Sequence, residues 1–234
     1  MPDAQIIVTG GSRGIGAAVV AELAARGHRV VGLSRSGEVP AGRGVRCDVS
    51  EEEGLREAIA EVAREGSIAG LVNNAGIHRA GPSAELDLAE YEEVMRVNST
   101  ASVLACREVY PHLKAAGGGI IVNMGSFFDK LGVPACLAYS ASKAVLGVLT
   151  RVLAVEWAAD GISVLNVAPG YIRTELSTFW DESWSERWVE RHVPLGRGGE
   201  SEEVARLVAA IFAERIHFLT GETIYLDGAH GIHH

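Results

Sequence analysis

Continuous apolar runs alternate with stretches of helical period from one end of the chain to the other, and few folds accommodate that pattern. Residues 4–9 (AQIIVT) read as a buried strand, followed by glycines and then IGAAVVAELAARG, a helix ending at Gly27. HRVVGLS (28–34) and GVRCDV are the next strands, and EEEGLREAIAEVAREG is an amphipathic helix with acids in its first turn and Gly66 as its stop. AGLVNNAG, GIIVNMGS, ISVLNVAPG and ETIYLDG hold further strands. Between them lie the long helical region LAEYEEVMRVNSTASVLACREVYPHLKAAGGG, the helix YSASKAVLGVLTRVLAVEWAADG and the late helix SEEVARLVAAIFAER. The strands are apolar throughout, not alternately in and out, which is the signature of a parallel sheet covered on both faces. The expected fold is one doubly wound α/β domain spanning residues 1–234.

Composition removes several functions. The 234 residues carry a formal charge of −9 and no lysine/arginine run, so nucleic acid is a poor partner. The apolar runs are broken within about ten residues, short of the roughly 20 that a bilayer requires, and no secretory signal is readable in MPDAQIIVTGG. Three cysteines, Cys47, Cys106 and Cys136, do not make a disulfide framework, and a reducing cytoplasm is the expected location. Cys136 reads as a small buried hydrophobe. No metal is expected: His230, His233 and His234 have no paired acid or cysteine and read as a free tail.

The first strand ends in TGGSRGIG, with glycines at 10, 11, 14 and 16, and a helix follows at once. Backbone N–H groups in such a turn approach a pyrophosphate at the positive end of the helix. Ser12 and Ser34 add hydroxyls. At the end of the second strand an acid would bind the ribose 2′-hydroxyl of NAD, whereas arginine would accept the 2′-phosphate of NADP. The chain has Ser34 and Arg35 there, with Arg13 in the glycine turn, so NADP(H) is favoured over NAD(H).

Tyr139 and Lys143 stand four apart at the start of a helix and share a face. A phenol is a poor acid at neutral pH, and a neighbouring ammonium is expected to lower its pKa and make it a usable proton donor or acceptor. Ser126 ends a strand thirteen residues earlier, and the carboxyl ends of the strands are where open α/β folds bind ligands. Asn98 falls in mid-helix, an unfavourable place for asparagine.

Thr9 to Gly16, the NNAG at 73–76, Asn98, Ser126, Tyr139, Lys143, Pro169 and Gly170 stand in an order and spacing that resemble the short-chain dehydrogenase/reductase family in its compact, Rossmann-type form. The resemblance covers nearly the whole chain. It implies that Asn98, Ser126, Tyr139 and Lys143 are catalytic, and that Asn98 holds a water linking Lys143 to solvent. It implies that Gly10, Ser12, Arg13, Gly14, Ile15 and Gly16 bind the cofactor. Asp48 and Val49 would take the adenine, Asn74, Ala75 and Gly76 the adenosine side, and Pro169, Gly170, Ile172 and Thr174 the nicotinamide side. Asn73 would brace the sheet. A homodimer or homotetramer is implied, joined through the region near Asn98 and the helix carrying Lys143, with ETIYLDG as a second contact.

The implied activity is an NADP(H)-dependent ketoreductase, with Ser126 holding the carbonyl oxygen and Tyr139 donating the proton. The family places a substrate lid at about 171–197. Trp180, Trp184 and Trp188 recur there every four residues, a stripe that either walls the pocket or packs on the protein or another subunit. With Phe127 and Phe128 beside Ser126, the expected substrate is a small apolar or aromatic ketone or secondary alcohol. Acids offset Arg187, Arg191 and Arg197, which disfavours a 3-oxoacyl thioester on an acidic carrier protein. A 3-oxoacyl-thioester reductase or an NAD-dependent alcohol or dihydrodiol dehydrogenase is the alternative, and a non-catalytic nucleotide-binding sensor or scaffold is the remote one. Two departures stand out: SRSGEVPAGRG is short and lacks a helix, and the closing VDGG reads LDGAHGIHH.

Overall fold

The computed structural model describes residues 4–174 and 182–233, with side chains throughout except at 182–186. In chain order the elements are β1 (Gln5–Thr9), α1 (Gly14–Ala25), β2 (Arg29–Ser34), β3 (Arg43–Arg46), α2 (Glu52–Glu65) and β4 (Ile68–Asn73). They continue with α3 (Leu88–Met95), α4 (Ala101–Ala115), β5 (Gly119–Met124), α5 (Leu137–Trp157), β6 (Ile162–Pro169) and β7 (Ile172–Arg173). The last are α6 (Glu182–His192), β8 (Gly199–Glu200), α7 (Ser201–Glu214) and β9 (Thr223–Leu226).

Seven strands form one parallel sheet in the order β3-β2-β1-β4-β5-β6-β9. Helices cover both faces, as the uniformly apolar strands require. Leu55, Ile59, Val109 and Leu153 of α2, α4 and α5 pack on one face; Val20, Leu23, Val204 and Val208 of α1 and α7 pack on the other. The strand order reverses between β1 and β4, so the loops leaving β1 and β4 diverge there and open a crevice. The glycine turn, the NNAG loop, Ser126 and the Pro-Gly turn all follow the carboxyl ends of these central strands.

Two expectations are refined. The long helical region is not a single α-helix: residues 96–100 form one π-helical turn between α3 and α4, centred on Asn98. Such a turn is common where a side chain must be turned toward a site. The helix beginning near Tyr139 starts two residues earlier and, with a 3₁₀ extension, runs to Asp160 before Gly161 ends it in a left-handed conformation. Among the described residues it is the one helix long and apolar enough to cross a membrane by length and composition, which corrects the expectation drawn from the broken apolar runs. In the fold it lies on β6 as a core helix. Between β2 and β3 there is no helix, as the short connection implied. The small parallel pair β7–β8 ties together the two ends of the segment that includes α6.

Candidate active site

The glycine turn is locked to the NNAG loop by hydrogen bonds that use few side chains. The Thr9 hydroxyl accepts from the backbone N–H of Asn74 (3.0 Å) and of Ala75 (3.1 Å), and Asn74 Nδ2 donates to the carbonyls of Thr9 (3.0 Å) and Gly10 (3.2 Å). A Cβ on Gly10 would lie 2.9 Å from the Ala75 Cα, and one on Gly16 would overlap the Gly10 carbonyl oxygen. Gly10 and Gly14 have φ of +68° and +54°, which side chains other than glycine's rarely adopt. Asn73 does brace the sheet, donating to Asn123 Oδ1 at 2.9 Å, while Asn123 donates to Thr150 Oγ1 of α5 at 2.9 Å.

These loops line a cleft of about 740 Å³ at the switch point. Every cofactor-side residue predicted from the sequence lies on its wall, from Gly10 through Thr174, and so do Ser126, Phe127, Phe128, Tyr139 and Lys143. The backbone cradle at Gly10–Gly16, the exposed Arg13 and Arg35 at the rim, and Thr174 facing Gly14 suit a dinucleotide. Two of these residues also have local partners. The Ser34 hydroxyl accepts from Gly37 N (3.0 Å) and lies 3.3 Å from Ser36 Oγ, so it holds the 34–38 turn as well as facing the cleft. Asp48 Oδ1 accepts from Ser50 N (3.0 Å) and Ser50 Oγ (2.7 Å); these bonds, first among several causes, hold its carboxyl below the usual range.

At the far end the Ser126 side chain lies beside Tyr139, close enough to favour the ionised phenol. Ser126 also caps the short turn after β5, accepting from Phe128 N at 3.3 Å. Lys143 is buried one helical turn beyond Tyr139 and donates from Nζ to the Met124 carbonyl at 2.8 Å. Its Nζ sits 5.7 Å from the Tyr139 ring centroid. The expected acidification of the phenol does not follow from these residues alone. Burial pushes Tyr139 up to about 12, against a smaller lowering by the neighbouring Ser126 hydroxyl, and Cys136 adds to the rise. Burial brings Lys143 down to about 8. Desolvation outweighs the lysine–phenol attraction because the ammonium is turned toward a carbonyl and the ring lies among other rings.

Asn98 is fully buried and its amide is fully engaged: Oδ1 accepts from Ile77 N (2.8 Å), and Nδ2 donates to the Ile77 carbonyl (2.9 Å) and to Ser142 Oγ (3.0 Å). It therefore ties the loop after NNAG to the helix bearing Tyr139 and Lys143, and does not itself line the cleft.

The substrate side is the part that sequence reading saw least. Phe127 and Phe128 are buried beside Ser126, and the Phe128 ring meets Tyr139 edge to face at 5.6 Å. His78, unremarked in the sequence, lies 4.7 Å from the Tyr139 ring, and burial, then Arg79, lowers its pKa. Tyr171, inside the Pro-Gly turn, packs on Phe127 at 5.1 Å. No local pattern marks His78 or Tyr171; the Met124 carbonyl leaves no side-chain signature at all. Of the tryptophan stripe, Trp180 and the Trp184 side chain lie outside the described residues. Trp188 packs on the protein, on Tyr171 at 4.9 Å and flat against His192 at 4.1 Å. The expectation of a free tail is overturned for His230: its ring lies 5.2 Å from Phe127, and its Nδ1 donates to the His192 carbonyl at 2.9 Å. Among the described residues no cluster of histidine, cysteine and acidic groups could hold a metal ion.

With this geometry in view, the relatives of the chain can be compared. A family model described as enoyl-(acyl carrier protein) reductase matches residues 10–231. Glucose 1-dehydrogenase of Gluconobacter oxydans is 36% identical, over 96% of this chain and 90% of that protein. D-threitol dehydrogenase of Mycolicibacterium smegmatis is 32% identical, over 97% and 92%. Among solved structures, a gluconate 5-dehydrogenase from Burkholderia cenocepacia, in complex with NADP and tartrate, superposes with a TM-score of 0.92 at 30% identity, over 99% of this chain and 96% of that one.

Proposed function

The chain belongs to the short-chain dehydrogenase/reductase family and is an oxidoreductase of alcohol and ketone substrates; from that premise we propose that it interconverts a compact ketone and its secondary alcohol with NADP(H), using Tyr139 as general acid/base. The observation that carries this reading is the meeting of Ser126, Tyr139 and buried Lys143 on the wall of one glycine-lined cleft. When bound, the nicotinamide supplies or accepts the hydride.

The protein's own residues do the rest. Ser126 and Tyr139 both line the cleft, where a substrate oxygen would accept from both hydroxyls. In reduction Tyr139 gives its proton to that oxygen, and in oxidation it takes one back. A neutral phenol, held by burial until the reaction, is the form a reductase needs. Lys143 keeps a positive charge near the phenolate that forms, and the Met124 carbonyl aims it. Asn98 and Ser142 fix the loop and helix between which that lysine sits.

The glycine turn would hold the pyrophosphate, Arg13 and Arg35 the 2′-phosphate, and Ile172 and Thr174 the carboxamide. The NADP in the Burkholderia relative supports this choice. The ring-lined wall of Phe127, Phe128 and Tyr171 favours a small apolar or aromatic substrate. A polyol is the second reading, favoured by the sugar-related names of the relatives. Titrating NADPH against NADH, then assaying cyclic ketones beside sugars and sugar acids, tests both. Tighter NADH binding would refute the NADP(H) choice, and turnover confined to polyols would refute the apolar one.

Assembly into a homodimer or homotetramer is part of the proposal. Val148, Val152 and Val155 form an exposed apolar stripe on α5, with Val103 exposed on neighbouring α4; a second copy of the chain would cover them. A monomer in light scattering would refute this. Cys47, Cys106 and Cys136 are free thiols, in keeping with the proposed cytoplasmic location.

A further inference from the structure

The segment that follows β9 departs most from what its sequence suggested, and it is built into the protein at three levels. Asp227 folds it into a turn: Oδ1 accepts from Ala229 N at 3.0 Å and Oδ2 from Gly231 N at 2.8 Å. Ala229 is held with φ +70°, a conformation non-glycine residues adopt at some cost. The turn then meets the loop that leaves Ser126. The His230 ring stands edge-on to Phe127 at 5.2 Å, and a Cβ on Gly231 would lie 3.8 Å from the Lys130 side chain. Just before it, Tyr225 donates to Asp129 Oδ1 at 3.1 Å. The turn also meets α6 and the residues after it. His230 Nδ1 donates to the His192 carbonyl, its ring lies 5.4 Å from Trp188, and Gly228 sits against Val193 so closely that a Cβ would come to 2.7 Å.

His230 is thus a wedge between two walls, Phe127 on one and α6 on the other. Phe127 is adjacent to Ser126, and α6 takes part through Trp188 and His192. Tyr171, which lines the cleft, packs on both His230 (5.8 Å) and Trp188 (4.9 Å). His230 does not line the cleft itself; it backs the rings that do. Close-packed aromatic rings transmit a change in one member to its neighbours, because a void opened behind a ring lets the ring tilt.

We propose that the turn at 227–232 is the rear support of the substrate wall, and that His230 is the positioning residue that limits the size of ring able to lie over Tyr139. The assignment deepens the ketone/alcohol reading and rests on it: the site takes a compact, single-ring or short-chain ketone because His230 keeps Phe127 and Tyr171 forward.

Three variants of the full chain test it: His230→Ala removes ring and bond, His230→Phe keeps the ring, and His230→Gln keeps a hydrogen-bonding group without the ring. Each is assayed with NADPH on cyclohexanone and on the bicyclic trans-1-decalone. His230→Ala and His230→Gln are expected to shift the kcat/KM ratio about tenfold toward the bicyclic ketone, the scale on which pocket fit discriminates, through KM more than kcat. His230→Phe is expected to keep the wild-type ratio, and NADPH affinity stays unchanged in all three. An unchanged ratio in folded His230→Gln overturns the proposal even if His230→Ala fails to fold. Tryptic cleavage after Arg187 and Arg191 of α6 gives a readout free of activity, and it accelerates in His230→Ala if the wedge holds α6. Faster cleavage in a protein that reduces no carbonyl would sink the ketone reading while leaving the wedge; unchanged cleavage and an unchanged ratio would sink the wedge alone.

Discussion

The two ends of the cleft are built by opposite means. The cofactor end is mostly backbone: glycines at 10, 14 and 16, the Thr9 hydroxyl, and the Asn74 amide that stitches one turn to the next. The reacting end is mostly rings, brought from Phe127, Phe128, Tyr139, Tyr171, Trp188 and His230. The first is intolerant of added atoms, since a single Cβ collides with a carbonyl. The second is intolerant of lost atoms, since its shape is the mutual support of side chains far apart in sequence. A pyrophosphate offers the same geometry in every dinucleotide, so a fixed backbone cradle suits it. Substrates differ, and a wall of side chains can be changed one residue at a time.

That contrast can be broken experimentally. The largest effect is expected from Tyr139→Phe, which removes one oxygen from the reacting end. Turnover should fall about 10³-fold, in the range of general acid/base contributions, while NADPH affinity holds within about twofold. Near-normal turnover would remove the tyrosine from the chemistry. Next is Gly16→Ala at the other end: one added methyl should weaken NADPH binding by about 100-fold and destabilise the fold by about 1–3 kcal/mol through overpacking. If fluorescence titration finds normal NADPH affinity in that variant, the cradle is not limited by backbone contact.

Smaller again is Arg35→Ala at the exposed rim. It should cost about tenfold of any preference for NADPH over NADH, the value of one charge-assisted bond, with NADH affinity unchanged. Equal losses for both cofactors would show that Arg35 serves the shared half of the molecule.

The mildest test is of pH. Lys143 falls to about 8 in the fold, so its ammonium is present below that value and lost above it. The alkaline limb of kcat/KM, which reports the free enzyme, should bend near pH 8 and vanish in Lys143→Met. For stability the sign is opposite. Between about pH 8 and the ordinary lysine value the unfolded chain holds a proton that the folded chain has released, so this group makes the fold more stable as pH rises. A limb near pH 10 would show that the lysine is not desolvated as its burial implies.

Much of this was legible in the residues. The strand runs gave the parallel sheet, and TGGSRGIG and NNAG gave the cradle, because both signals are local: a period, or a turn that only glycine permits. Asn98, Ser126, Tyr139 and Lys143 were legible as a set, although the electrostatics were not. The ammonium's acceptor is the Met124 carbonyl, and whether attraction or desolvation prevails at Tyr139 depends on which atoms surround it. The rear of the substrate wall was not legible. His78, Tyr171 and His230 carry no spacing relation to one another, and a histidine-rich ending reads like any solvated tail.

The sequence by itself determined a doubly wound parallel sheet and a glycine turn after its first strand, since periodicity and glycine act over a few residues, while the set Asn98, Ser126, Tyr139 and Lys143 was read from a family resemblance. Only the tertiary structure decided which rings meet behind Ser126, where the Lys143 proton is aimed and that His230 is a wedge. Those depend on contacts between segments separated by tens of residues, and their energies come from burial and close packing that no local pattern encodes.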